Sequence, residues 1–366
     1  MFLNITNQQF DSNEIKQGNF TLEGDDFVDN ILVFCFEWLN GKEEFTLQTS
    51  GSTGTPKNIT VTRNQMISSA TATTKILNLK SGDNALCCLN TDYIAGKMMI
   101  VRSLVADLNL WIVPPSAHPF KHPFLPQFDF VALAPLQVQS SLDVSQELEQ
   151  LQNVKNIIIG GAPINSHLEK MIIDLLTETK VYMTYGMTES VSHIALKSIS
   201  ANSDQLYHTL EGVSIGQDER GCLHIIAPMT DYQRIQTNDV VKLVTRDTFE
   251  WLGRVDNIIN SGGVKIQVEK IEGAIAKILE KMDYASVNLF IGGLPHGSLG
   301  EEANLFIEGI TLTESQKKVL INELKEQFTK YELPKNIHSL GTFVKTDTLK
   351  IKRKETVQLF LENYEG

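Results

Sequence analysis

One run, Thr49-Ser50-Gly51-Ser52-Thr53-Gly54-Thr55-Pro56-Lys57, combines hydroxyls, two glycines and a terminal lysine. Glycines let main-chain N–H groups close on an anion, while hydroxyls and an ammonium donate charge-assisted hydrogen bonds to its oxygens, so the run can wrap phosphates. A Ser/Thr-rich linker has the same composition. It is not a Walker A loop, because Pro56 stands where the second glycine belongs and Asn58 replaces the closing Ser/Thr. Asn58–Thr62 reads as a strand, which makes the loop a hairpin connection.

Further candidates follow in the chain. Thr184-Tyr185-Gly186-Met187-Thr188-Glu189-Ser190 leaves a strand of buried type. The Tyr185 ring suits stacking on an adenine, and the Thr188 hydroxyl and Glu189 carboxylate are hard oxygens for an α-phosphate and Mg²⁺. An ordinary strand-end turn is the alternative. Asp239 can accept both hydroxyls of a ribose and Arg254 can donate to the same sugar; either alone reads as well as a surface charge. Lys350 falls in residues 345–354, a stretch of five positive charges and one negative that also fits a solvated basic face. Arg102 lies beside Met98, Met99 and Val101 on an apolar helical stretch, so it must be paired or reach a cleft. Asp107 is the structural acid that would pair it. His193, four residues after Glu189, reads more readily as a satisfied core histidine than as a base. No Ser-His-Asp or Cys-His constellation supports covalent catalysis.

These residues need a frame. Between 84 and 185 short β-rich runs alternate with helical patterns: strands near 84–89, 110–113, 128–134, 154–159 and 181–185, and helices near 93–106 and from 165 onward. That rhythm is an α/β sheet, parallel in part. The 156–159 run is apolar on both faces and breaks at Gly160-Gly161-Ala162-Pro163, a Gly-rich turn where ligands gather at strand ends. After Glu211 the pattern turns β-rich and ends in Gly253-Arg254-Val255-Asp256. Residues 257–366 carry a net charge of −1 within a chain of −12, which supports a boundary near Asp256. The expectation is a large N-terminal α/β domain, 1–256, with a mixed sheet, and a smaller α+β domain, 257–366. In the latter Ile271, Ile275 and Ile278 share one helical face, and Leu320, Leu324 and Phe328 another.

With 366 residues, 42% hydrophobic and 21% charged, the chain has the composition of a globular protein. Its acidic balance disfavours nucleic acid and anionic membrane surfaces. Four cysteines without metal-ligand spacing suit reduced thiols and disfavour a bound structural zinc. No leader pattern opens the chain. The apolar stretch 98–113 is broken by Arg102, Asp107 and Asn109, so no membrane insertion is expected and a cytoplasmic location is.

Residues 49–57 resemble the signature loop of the adenylate-forming superfamily, which holds acyl-CoA synthetases, peptide-synthetase adenylation domains and luciferases. Gly160-Gly161-Ala162-Pro163, the 184–190 run, Asn238-Asp239, Gly253-Arg254-Val255-Asp256 and Thr348-Leu349-Lys350-Ile351 follow in the superfamily's order. Tyr93-Ile94-Ala95-Gly96 followed by Arg102, and Ser261-Gly262-Gly263 leading to Ile266-Gln267-Val268-Glu269, are similar to o-succinylbenzoate–CoA ligases of menaquinone biosynthesis. The sequence departs from that pattern at Tyr93, where many relatives have His, at Thr-Leu-Lys in place of Ser-Gly-Lys, and in the 48 residues before the loop.

The resemblance implies an ATP- and Mg²⁺-dependent ligase that adenylates a small-molecule carboxylate and passes it to CoA. It implies ATP contacts at Thr49, Ser50, Gly51, Ser52, Thr53, Gly54, Lys57, Gly161, Ala162, Pro163, Thr184, Tyr185, Gly186, Asp239 and Arg254. Lys350, Glu189 and Thr188 become the catalytic set, with Glu189 on the metal, and Tyr93, Ala95, Gly96 and Arg102 line the acid pocket. Asp256 becomes the hinge of a mobile domain whose Ser261, Gly262 and Gly263 meet CoA. A ligase for another acid, a carrier-loading adenylation enzyme and a non-catalytic nucleotide-binding homologue are the rivals. Oligomeric state, a homo-oligomer included, is left open.

Overall fold

The computed structural model describes residues 1–6, 8–48, 58–285, 287–346 and 350–364. The 49–57 loop and Thr348-Leu349 therefore lie outside the described residues.

Among the described residues the strands Asn109–Ile112, Asn84–Cys87, Phe130–Leu133, Asn156–Ile159 and Lys180–Gly186 are neighbours in one sheet and run parallel. This is the arrangement that the alternating pattern predicts. Phe130–Leu133 and Asn156–Ile159 are buried along their whole length, because helices cover both faces of the sheet. Met66 and Ala70 of the helix Arg63–Ile76 and Met98, Met99 and Val101 of the helix Ile94–Ala106 belong to one core cluster; Val138, Leu142, Leu168 and Ile172 belong to the other. Phe2–Ile5 extends the sheet in parallel beside Asn109–Ile112. Past Lys180–Gly186 the sheet turns antiparallel through His193–Ser198 and Tyr207–Thr209, then continues with Thr248–Arg254, Ile235–Leu243, Cys222–Ile226 and Ser214–Gln217. The β-rich segment after Glu211 is thus part of this thirteen-stranded sheet.

A second sheet of five strands holds Ile259–Ser261, Val264–Ile266, Leu289–His296, Gly300–Glu308 and Ile337–Leu340. The helices Val268–Glu280 and Glu314–Lys325 lay Ile271, Ile275, Ile278, Leu320 and Leu324 on it. Phe328, expected on the second helical stripe, lies past that helix's end and packs half-buried from the following turn. The helix Arg353–Tyr364 reaches Phe290, Phe306 and Phe343 with Val357 and Phe360.

Glu44–Gln48 pairs antiparallel with Asn58–Thr62, and Gln48 faces Asn58 across the ends that residues 49–57 connect. Thr62 then caps the helix Arg63–Ile76. The Gln65 N–H donates to Thr62 Oγ1 at 3.2 Å and the Thr62 N–H to Gln65 Oε1 at 2.8 Å, a reciprocal pair that satisfies two end donors.

Candidate active site

The strand Lys180–Gly186 delivers Tyr185 to the sheet's antiparallel half. Its ring packs against Tyr207 and Phe249, with centroids 5.6 and 5.1 Å away, and its hydroxyl donates to Asp239 Oδ2 at 2.8 Å. Burial, then the Asp239 carboxylate, raises the phenol's pKa, so it stays a donor. Asp239, itself buried, also accepts from Trp251 Nε1 at 3.2 Å and from Arg254 Nη1 at 3.4 Å. The register of the two strands sets this meeting, since Asp239 stands directly opposite Arg254. Arg254 Nη2 reaches Asp256 Oδ2 at 2.7 Å, and Asp256 accepts from Asn238 Nδ2 at 3.2 Å. What the geometry shows for Tyr185 is a hydroxyl that orients Asp239.

Lys350 joins this group from the second sheet's side of the chain. It is half-buried, and burial, then the neighbouring Arg254 guanidinium, lowers its pKa. Its backbone is pinned: the Lys350 N–H donates to Thr346 Oγ1 at 3.1 Å and its carbonyl accepts from the Thr346 N–H at 2.9 Å. The positive charge of Arg254 thus acts on Lys350 while its guanidinium holds Asp239, and an anionic group near the two cations would relieve their repulsion.

Thr188 and Glu189 form a short turn right after the strand. Glu189 is exposed, with no ion-pair partner among the described residues. Mg²⁺ keeps waters and takes one or two carboxylates beside substrate phosphates, so this donor pair fits such an ion. Among the described residues no group of three or more His, Cys, Asp or Glu could hold a metal by itself.

The same segment reaches Arg102 with its next residues. Arg102, 2% exposed, donates from Nη2 to Ser192 Oγ at 2.6 Å and from Nη1 to Met99 Sδ at 3.7 Å, and its Nε has no partner. No carboxylate among the described residues pairs with it. Asp107, the acid expected to pair it, instead holds the N-terminal ammonium at 3.1 Å and accepts from the Ser81 hydroxyl at 2.6 Å. Burial lowers the Arg102 pKa to about 10, which still leaves it charged at neutral pH. A buried cation without a counter-ion is expensive, a cost that a bound anion would offset.

Several expectations change. Gly96, which the resemblance puts on the acid pocket, is buried against the chain's own backbone: a Cβ there would lie 2.4 Å from the Asn90 carbonyl oxygen, so its hydrogen permits the helix start to pack on the 90–91 backbone. Ala95 is exposed and Tyr93 half-buried. Ser261 is fully buried, so its hydroxyl does not face a CoA arm in this arrangement. Gly262 and Gly263, with φ of 57° and 84°, make the two-residue turn of a hairpin, and that geometry accounts for both glycines. Gly161 is exposed beyond its strand with Pro163, while Ala162 is half-buried. Thr184 donates to the Ile159 carbonyl at 3.1 Å, and that bond ties the two strand ends. Ser192, Trp251 and Thr73 were missed. Ser192 follows the 184–190 run by two residues, and that proximity was the only signal it gave.

The family described as AMP-binding enzyme matches residues 45–217. A solved acyl-CoA synthetase (AMP-forming)/AMP-acid ligase II-like protein from Dyadobacter fermentans is 41% identical, with 93% of this chain and 97% of that one covered and a TM-score of 0.63. The chain belongs to the AMP-binding enzyme family. Within that family, a 2-succinylbenzoate–CoA ligase of Bacillus cereus (strain AH820) is 23% identical over 395 residues, spanning 98% of this chain and 78% of the relative. The O-succinylbenzoate coenzyme A synthetase of Bacillus subtilis, solved in complex with ATP and magnesium ion, is 17% identical, covers 85% of this chain and 69% of its own, and shares the fold with a TM-score of 0.66. Both the resemblance to adenylate-forming enzymes and the mixed α/β architecture expected from the motifs are borne out. Among the described residues no helix is long and apolar enough to cross a membrane.

Proposed function

We propose that this member of the AMP-binding enzyme family is an AMP-forming acid–CoA ligase, and that its acid is an aryl keto acid with two carboxylates, 2-succinylbenzoate. The buried Arg102, without an acid of its own and with a free Nε, carries the second half of that reading. An acid with one carboxylate to activate and one spectator leaves an anion inside an apolar pocket, and a guanidinium is the group that can meet it.

In the first half-reaction a carboxylate oxygen attacks the α-phosphorus of ATP and pyrophosphate leaves; in the second the CoA thiolate attacks the acyl carbon and AMP leaves. Asp239 takes the ribose hydroxyls on lone pairs not used by Tyr185, Trp251 and Arg254. Lys350 places positive charge where carboxylate and phosphate oxygens converge, and the 49–57 loop holds the leaving phosphates. Mg²⁺, when bound at Glu189 and Thr188, neutralises phosphate charge. Charge neutralisation and positioning do the catalytic work, and no covalent enzyme intermediate is needed.

The test is ATP–pyrophosphate exchange followed by thioester formation, with 2-succinylbenzoate and with the same keto acid lacking its ring carboxylate. Removing one partner of a desolvated charged pair costs about 2–5 kcal/mol, so Arg102→Ala should lower kcat/KM for the diacid at least roughly 30-fold. The monoacid should be a poor substrate and lose little more in the variant. Equal losses on both acids would make Arg102 structural; no exchange with any acid would remove the ligase reading itself.

A further inference from the structure

We propose that His193 is a positioning residue for acid recognition: held as its Nε2–H tautomer, it orients the Ser192 hydroxyl, and through it the Arg102 guanidinium, toward the acid's second carboxylate. The inference rests on the reading of Arg102 given above.

Proton counting fixes the direction of the chain of contacts. Thr73, in the helix Arg63–Ile76, gives its one hydroxyl proton to the Ser69 carbonyl at 3.0 Å. Its oxygen, 3.1 Å from His193 Nε2, is therefore an acceptor, and Nε2 carries the hydrogen. Nδ1 is then bare and accepts from Ser192 Oγ at 3.3 Å. Ser192 Oγ in turn accepts from Arg102 Nη2 at 2.6 Å. Every donor in the relay then has an acceptor. The opposite tautomer would point both Arg102 and Nδ1–H at Ser192 and leave the serine proton without a place in the relay. A doubly protonated ring has the same fault, and burial, then the Arg102 charge, pushes the His193 pKa well below the usual histidine range.

The relay holds Arg102 Nη2 on Ser192, a weak contact to the Met99 sulfur takes Nη1, and the Nε–H is left unpartnered. A guanidinium fixed before the ligand arrives loses less freedom on binding, so orientation here becomes affinity. The backbone supports the same assignment. Val191 has φ 63° and ψ −51°, and the Ser192 N–H donates to the Ser190 carbonyl at 2.7 Å, a γ-turn of the strained hand centred on a β-branched residue. Strain of this kind persists where the surroundings over-determine it and gathers at functional sites. Gly186 helps to hold the turn, since a Cβ there would lie 2.3 Å from the Ser192 carbonyl oxygen.

The experiment uses the full chain and reads the preference, as a ratio of kcat/KM values, for 2-succinylbenzoate over the keto acid lacking the ring carboxylate. His193→Ala and His193→Gln should lower that ratio by about tenfold or more, and His193→Asn should recover most of it, with the ATP KM steady in all three. Asn can put Oδ1 where Nδ1 accepted from Ser192, whereas Gln restores only the donor to Thr73. A histidine that merely fills space gives the reverse order, since Gln is nearer its size; that order, or equal loss in both, overturns the positioning role while Arg102 keeps its own. A parent enzyme that does not distinguish the two acids removes the reading of Arg102 and this inference together. A long-range ¹H–¹⁵N spectrum of the unsubstituted chain at neutral pH needs no variant to fold. A protonated Nε2 with a bare Nδ1 supports the relay; an Nδ1–H or doubly protonated ring overturns it.

Discussion

Lys350 is half-buried, and burial, then the positive charge of Arg254, lowers its pKa from the ordinary 10.5. Below the folded pKa the chain carries the full penalty of holding that charge. Between the lowered folded value and the ordinary one, the unfolded chain binds more protons, so stability rises with pH through this alkaline window. Lys350→Met should therefore raise the unfolding free energy at neutral pH by about 0.5–2 kcal/mol, seen as a higher melting temperature, and the gain should shrink at alkaline pH. The same variant should lose ATP–pyrophosphate exchange by more than about 10²-fold and still form thioester from supplied acyl-adenylate. A variant that is no more stable than the parent would show that the charge is not held at a cost. Equal loss in both half-reactions would remove Lys350 from adenylation. At this scale the sequence announced the charged partners, Asp239, Arg254 and Lys350, because charge in a recognisable motif is visible. It hid Ser192, Trp251 and Thr73, whose hydroxyls and indole N–H gain meaning only from what they touch.

The helix Arg353–Tyr364 begins three residues after Lys350, and its first residue is clamped. Arg353 Nη1 and Nη2 donate to Glu272 Oε1 and Oε2 at 2.7 and 2.8 Å, and the Ile291 N–H donates to the same carboxylate at 2.7 Å. A bidentate fork fixes direction as well as distance, so it sets where the chain leaves the second sheet toward Lys350. Arg353→Ala should destabilise the fold by about 1–3 kcal/mol, because Glu272 keeps a nearly buried charge with one backbone donor left. It should also lower adenylation more than Arg353→Lys, which retains the charge without the fork. Identical kinetics for the two variants would show that the fork does not position Lys350. Elements themselves were legible where one period ran unbroken: the apolar 156–159 run became a fully buried strand, and Ile271, Ile275 and Ile278 became one covered face. Pairing was not. Phe2–Ile5 joins the sheet beside Asn109–Ile112 across a hundred residues, and the segment after Glu211 continues the first sheet, because no local pattern records which strand a strand will meet.

Across the whole molecule, contacts that bridge the two sides of Asp256 hold the present arrangement. Glu269, in the first turn of the helix Val268–Glu280, accepts from the Arg254 N–H at 3.1 Å across Asp256. At that helix's other end, Glu280 accepts from the Ser166 hydroxyl at 3.2 Å and meets His167 Nδ1 at 3.3 Å. If residues 257–366 rotate between the half-reactions, these bonds break and the dihedrals near Asp256 absorb the change. Asp256 is the middle residue of a short 3-10 turn, Val255–Asn257, whose φ a proline can adopt. Asp256→Pro should therefore keep the present arrangement, with ATP–pyrophosphate exchange near the parent rate, while thioester formation from CoA falls by about tenfold or more and acyl-adenylate accumulates. The substitution also removes the carboxylate that Arg254 Nη2 reaches at 2.7 Å, so Asp256→Ala, which loses the charge and leaves φ free, separates the two effects. Pro impaired in transfer and Ala competent would assign the hinge to this residue. Transfer at the parent rate in a folded Asp256→Pro chain would mean that the two sheets do not reorient about Asp256, and that CoA must reach the adenylate with Ser261 still buried and the Gly262-Gly263 turn where it now stands.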